Sequence, residues 1–142
     1  MLVKSVKDLL RNVGMVRKIL IKSSAAGEVA AELYEEKNPK TASAIWNALP
    51  IEARANRWGE EIYFSTGVKV SEENAQETVQ VGEIGYWPPG NAFCIFFGRT
   101  PASTNDQPRA ASPVNVFGKI LGDPFVFRKV RDGERIVIDK AK

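Results

Sequence analysis

Val16-Arg17-Lys18-Ile19-Leu20-Ile21-Lys22, then Ser23-Ser24-Ala25-Ala26-Gly27, then Glu28-Val29-Ala30-Ala31-Glu32-Leu33-Tyr34: the reading of this run decides the fold. Its first segment is rich in branched apolar residues, its second is small and turn-forming, and its third returns to strand composition. The run therefore predicts a β-hairpin. Working outward, Asn38-Pro39-Lys40-Thr41 predicts a helix start, with Asn38 as the cap and Pro39 at the first helical position. Ala42, Ile45, Trp46 and Leu49 then form one apolar helical face that ends at Pro50. A second short helical turn is predicted over 51–55. Upstream, Leu2, Val6, Leu9, Leu10 and Val13 make a stripe with Lys4, Lys7, Asp8 and Arg11 off it. That pattern predicts a short amphipathic helix ended by Gly14, read as a packing appendage in preference to a partner-docking helix.

Further downstream the chain reads as short strands at 62–64, 68–70, 78–81 and 84–87, separated by glycines and polar turns. Pro88-Pro89-Gly90-Asn91 is a stiff turn, because two prolines fix φ and remove two donors. Phe93-Cys94-Ile95-Phe96-Phe97 is a continuous apolar run, buried on both faces or buried on one and capping a pocket with the other. Residues 101–113 are polar, without periodicity, and longer than an ordinary connection, which predicts a rim loop or a mobile segment. A strand at 114–121, a short helix at 123–130 and a closing strand at 135–139 complete the chain. Many short strands with two helices predict an antiparallel barrel capped by helices. Two parts are expected: an N-terminal extension, 1–14, and one domain, 15–142.

Composition bounds the chemistry. The 142 residues are 44% hydrophobic and 26% charged, enough to fill one core. There is no histidine and only one cysteine, Cys94. Ser-His-Asp and Cys-His catalysis, histidine metal sites, cysteine zinc clusters and an internal disulfide are thereby excluded, and neither a metal nor another cofactor is expected. Net charge is +3. Six cations against one carboxylate fall in residues 1–22, and six carboxylates against one cation in 60–90. This mixed surface, without aromatics alternating with the cations, argues against nucleic-acid binding. No apolar window is long enough to span a membrane, so a cytoplasmic, reducing location is expected. No oligomeric state follows from the sequence.

Gly27-Glu28-Val29-Ala30-Ala31-Glu32-Leu33-Tyr34, with Pro39-Lys40-Thr41-Ala42 and Trp46-Asn47-Ala48-Leu49, resembles the opening of a cyclophilin. Val116-Phe117-Gly118-Lys119-Ile120 and the closing Arg135-Ile136-Val137-Ile138-Asp139 extend the likeness. The middle is different. Trp58-Gly59-Glu60-Glu61-Ile62-Tyr63-Phe64-Ser65, Val81-Gly82-Glu83-Ile84-Gly85-Tyr86-Trp87-Pro88-Pro89-Gly90 and Phe96-Phe97-Gly98-Arg99-Thr100-Pro101 resemble the small prokaryotic cyclophilin-like domain, an atypical branch of unsettled function. The resemblance covers most of residues 16–140. It implies a mainly β fold: a closed eight-stranded antiparallel barrel capped by two short helices, with the helical extension before it.

It also implies a test for peptidyl-prolyl isomerase activity. In the twisted transition state the prolyl nitrogen becomes an acceptor, and a positioned arginine in a dry apolar groove can bond it. In cyclophilins that arginine lies in a Phe-His-Arg stretch on the third strand. The counterpart here, Trp58-Gly59-Glu60, puts Glu60 or Glu61 at that place, and the family's glutamine-glycine-glycine stretch is absent. An ionised carboxylate cannot donate. Arg57 and Arg99 are the candidate catalytic substitutes, although a solvated surface cation is the preferred reading of each. Phe97 matches the family's pocket phenylalanine. Glu60 and Glu61, adjacent on a strand, point to opposite faces and cannot form an acid/base pair, and a solvated edge is their plainer reading. Trp87 beside the stiff turn is either a binding platform or a plug for the barrel end. Cys94 within its apolar run reads as inert packing.

The expected function is recognition of a peptide, a proline-containing segment or a small ligand. Its groove would be lined by Phe64, Trp87, Phe97 and the 101–113 loop, with Glu60 and Glu61 beside it and isomerase activity weak or absent. The alternatives are a working isomerase using Arg99 or Arg57, and a protein-interaction module acting through the N-terminal helix.

Overall fold

Alternation of burial in the first hairpin sets the architecture. In β1 (Lys18–Ser23), Ile19 and Ile21 are buried while Lys18 is exposed. In β2 (Gly27–Leu33), Val29, Ala31 and Leu33 are buried. The pairing sets Ile19 opposite Ala31 and Ile21 opposite Val29, so one face of the hairpin is apolar. This computed structural model describes residues 16–141. The expected helix over 2–13 lies outside the described residues.

After the hairpin come α1 (Pro39–Ala48), β3 (Ile51–Arg54), β4 (Asn56–Arg57), β5 (Glu61–Ser65), β6 (Gln76–Thr78) and β7 (Glu83–Trp87). A single 3₁₀ turn (Pro88–Gly90) leads to β8 (Ala92–Phe96), the long β9 (Arg109–Ile120), a 3₁₀ helix (Pro124–Lys129) and β10 (Arg135–Lys140). The ladder order is β3-β10-β1-β2-β9-β7-β8-β5-β4, with β6 paired to β9 off this path.

The expected closed eight-stranded barrel is therefore corrected: ten strands form a sheet that does not close. Its two edges, β3 and β4, are consecutive in sequence and joined through Ala55 alone. Antiparallel pairing of neighbouring strands needs a hairpin loop of about two residues or more, so these two cannot pair with each other. The Ala55 N–H instead donates to Glu134 O at 2.8 Å, and Ala55 O accepts from Gly133 N at 2.7 Å. The same segment corrects the helical turn expected over 51–55, which is strand β3 paired to β10. The two short helices are α1 and the 3₁₀ helix Pro124–Lys129.

The stretch expected as a strand over 68–70 runs instead as irregular chain. Val68 and Val70 pack partly buried against the core, and the Val70 N–H donates to the Tyr86 hydroxyl at 3.1 Å. α1 starts at Pro39 as expected, but the Asn38 side chain does not cap it. Its Nδ2 donates to Val116 O at 2.7 Å. The Glu73 carboxylate takes the capping role from a distant loop, accepting from Lys40 N and Thr41 N, each at 3.0 Å.

Two apolar clusters sandwich the sheet segment β5-β8-β7. Ile62, Phe64, Ile84, Tyr86, Phe93, Ile95 and Phe97 face the main core together with β1, β2, β10 and α1. Cys94 and Phe96 face the other way, against Val79, Ala110, Val114 and Val116 of the β6–β9 arm. The run from Phe93 to Phe97 is thus buried on both faces. Among the described residues no helix is long and apolar enough to cross a membrane.

Candidate functional site

The site begins with a turn. Between β4 and β5, Trp58 N donates to Glu61 O at 2.9 Å and Glu61 N to Trp58 O at 3.2 Å, leaving Gly59 and Glu60 as a two-residue hairpin loop. Gly59 has φ +61°, and an added Cβ would lie 2.8 Å from Pro101 Cδ and 3.0 Å from Arg99 O, so only glycine fits. Residues opposite one another across a hairpin share a face. Arg57 pairs with Ile62 on the core side of the sheet. Trp58 and Glu61 lie on the other face, and Tyr63, two residues on from Glu61, joins them.

That face is walled and roofed by later elements. From β7, Trp87 meets Tyr63 edge-on, with ring centroids 6.4 Å apart and planes at 70°. Trp87 lies against Gly90, where an added Cβ would come within 2.8 Å of its ring, and its Nε1 donates to Ser112 Oγ at 2.7 Å. The start of β9 supplies Ala110, Ala111 and Val114. Together Trp58, Glu61, Tyr63, Trp87, Ala110, Ala111 and Val114 line a half-open cavity of about 170 Å³.

Glu61 is the chemical centre of this cavity. It is 5% exposed, and its Oε1 has no hydrogen-bond partner. Burial pushes its carboxyl up to about 8, with the neighbouring Cys94 thiol offsetting part of the rise. The Cys94 thiol is itself held well above the ordinary thiol range by burial and by the neighbouring Glu61. Among the described residues no arginine or lysine lines the cavity. Under neutral conditions Glu61 is therefore mostly an uncharged acid, able to donate one hydrogen bond and to accept at a bare oxygen.

The residues expected at the site divide. Glu61 and Trp87 come together in the cavity. Glu60 points away from it and pairs with Arg128 at 2.7 Å. Phe64 and Phe97 are 0% exposed and belong to the main core. The Arg57 guanidinium lies over the Phe97 ring at 5.0 Å. Its Nε donates to Gly59 O at 2.6 Å, and its Nη1 to Arg128 O at 3.0 Å and Val130 O at 3.1 Å. Arg99 is exposed, and its partner among the described residues is the fully exposed Asp106 at 3.5 Å. The segment expected as a loop over 101–113 contributes Ala110 and Ala111, but from strand β9, which already begins at Arg109.

Trp58, Tyr63 and Val114 are the lining residues that sequence reasoning missed. For Trp58 and Tyr63 the available signal was the Trp58-Gly59-Glu60-Glu61 hairpin itself, because a two-residue loop places its flanking residues on one face. Among the described residues no cluster of three potential metal ligands forms.

A model of the cyclophilin-like family matches residues 17–139. No curated protein matches the chain. The solution structure of a hypothetical protein from Archaeoglobus fulgidus is similar to this one, with 45% sequence identity and a TM-score of 0.74. The likeness covers 89% of this chain and 95% of that one.

Proposed function

Since the chain belongs to the cyclophilin-like family, we propose that it is a recognition domain. Its Glu61 pocket holds a small ligand or the tip of a peptide side chain, and prolyl isomerase activity is weak or absent. The observation that carries this reading is the Glu61 carboxyl in the wall of an apolar, aromatic-lined cavity, buried and with its Oε1 unpartnered. A buried polar group left without a partner costs roughly 1–3 kcal/mol, and an occupant that bonds it recovers that loss on binding. Mostly apolar walls around one well-placed polar group are the usual composition of a ligand site.

Against an isomerase stands the state of the two arginines. A catalytic donor must be free to bond the prolyl nitrogen in the transition state, and each tenfold in rate requires about 1.4 kcal/mol of such selective bonding. Arg57 commits its Nε and Nη1 donors to three backbone carbonyls, which pins the guanidinium and leaves only Nη2 for a substrate. Arg99 sits in solvent, where a new hydrogen bond merely replaces one to water. The position of Arg57 over Phe97 is the one feature that favours the alternative, an isomerase using Arg57. A cytoplasmic setting belongs to the same proposal, and the free, buried thiol of Cys94 is consistent with it.

A coupled prolyl-peptide assay on the wild type, Arg57→Ala and Arg99→Ala decides between the readings. Wild-type rates equal to those in buffer support the recognition domain. Rates about tenfold or more above buffer that disappear in either variant would replace it with the enzyme.

A further inference from the structure

We propose that the occupant of the Glu61 pocket is a small organic cation, a methylated or alkyl ammonium group, with Glu61 as its counter-ion and Trp58, Tyr63 and Trp87 as its walls. This inference rests on the reading of that cavity as a ligand site and names the chemistry it selects.

Three features converge on a positive occupant. Among the described residues, the ionisable groups lining the cavity are Glu61 and the Tyr63 phenol, and neither would neutralise a bound anion. The Trp87 N–H, which could have greeted an anion or a carbonyl, is committed to Ser112 Oγ. The walls are aromatic, and the 70° angle between Tyr63 and Trp87 forms a corner. Aromatic rings attract a cation through the negative potential of their faces, by roughly 0.5–2 kcal/mol in a half-open site such as this one.

Size sets the second limit. A cavity of about 170 Å³ compares with the roughly 150 Å³ that admits benzene in an engineered apolar core. A trimethylammonium head or a short alkylamine fits that volume, and a whole peptide does not.

The proton completes the argument. The groups facing Glu61 are the Cys94 thiol from β8 and the Tyr63 phenol from its own strand. The elements packed over it present Trp58 from the turn, Trp87 from β7, and Ala110, Ala111 and Val114 from β9, none of which titrates. Without a cation beside it, burial dominates Glu61 and keeps it protonated. A cation entering the cavity favours the ionised form, so binding releases a proton to solvent.

The test titrates the full chain with choline chloride and, separately, with 3,3-dimethylbutan-1-ol, its uncharged isostere, reading heat and tryptophan fluorescence. The expected result is choline affinity about tenfold or more above that of the alcohol, with proton release detected by comparing buffers of different ionisation enthalpy. Choline affinity rises about tenfold or more between roughly pH 6 and pH 8, while that of the alcohol stays constant. Glu61→Gln, checked for folding by near-ultraviolet circular dichroism, brings the two affinities together. The pH comparison on the wild type separates charge from shape without the variant. If the alcohol binds as tightly as choline with no proton release, the cation inference fails and the ligand pocket stands. If neither compound binds at about 50 mM, both readings fall.

Discussion

Glu61 joins the physical and functional arguments because its carboxyl is buried on the far side of the sheet from the main core, with an oxygen left bare. A carboxyl whose value is raised on folding favours the native state fully below the ordinary glutamate range. That advantage is lost as pH rises toward the folded value of about 8. Global stability should therefore fall by on the order of a few kcal/mol between about pH 5 and pH 8 relative to Glu61→Gln. Parallel urea melts of the two proteins across that range check it, and superimposable pH profiles would mean that Glu61 is solvated. The sequence pointed to Glu61 and Trp87, but Glu60 is a residue of the hairpin loop and not of the strand; it turns out to Arg128 while Glu61, the first residue of β5, turns in. The solvated edge expected for Glu61 is not found. What buries it is β9, a segment far downstream whose docking no local pattern around Glu61 reveals. Phe64 and Phe97 were legible as apolar but not as to face, because every side chain in a doubly buried region looks equally greasy.

At the level of elements, the hairpin, α1, β8 and β10 were readable because periodicity and turn residues agreed with the final packing. The segment 51–55 was not, because Ile51-Glu52-Ala53-Arg54 suits a helix locally, and only pairing with β10 makes it a strand. The cap of α1 shows the same limit. Asn38 occupies the capping position, yet its side chain is drawn away to Val116 O, and Glu73 from the 71–74 loop supplies the acceptors instead. That loop is fastened in turn by buried Asn115, whose Oδ1 accepts from Glu73 N at 2.8 Å and whose Nδ2 donates to Ser71 O at 3.0 Å. Burial alone would raise the Glu73 carboxyl, but bonds from Thr41 and Lys40 outweigh it and the net value is lowered. Its contribution is accordingly present above the ordinary glutamate range and lost as pH falls through the lowered value. Glu73→Ala should cost about 1–2 kcal/mol in a urea melt at neutral pH, and less in acid. An undiminished cost in acid would show that packing, and not the charge on the cap, is what the residue supplies.

Across the whole molecule, an open sheet has consequences that a closed barrel would not. The strands β3 and β4 each have one partner, β10 and β5 respectively, whereas β1 and β8 have two. Outward-facing amides of β3 and β4 should exchange with solvent about a hundredfold or more faster than those of β1 and β8. Equal protection on β3 and β1 in a hydrogen-exchange experiment would reinstate the closing ladder. The resemblance implied closure because motif order carries topology but not the hydrogen bonds at a seam, and here the seam is the single residue Ala55. The open sheet still sets its β6–β9 arm across the β5-β8-β7 face, and that docking creates the cavity on which the functional account depends. The most direct test is therefore a carbon-detected NMR titration of the Glu61 side-chain carboxyl in the intact, ligand-free protein. A midpoint at about 8 is expected; a midpoint near the ordinary glutamate value of 4.5 would contradict the reading, because the Glu61 carboxyl would then be solvated.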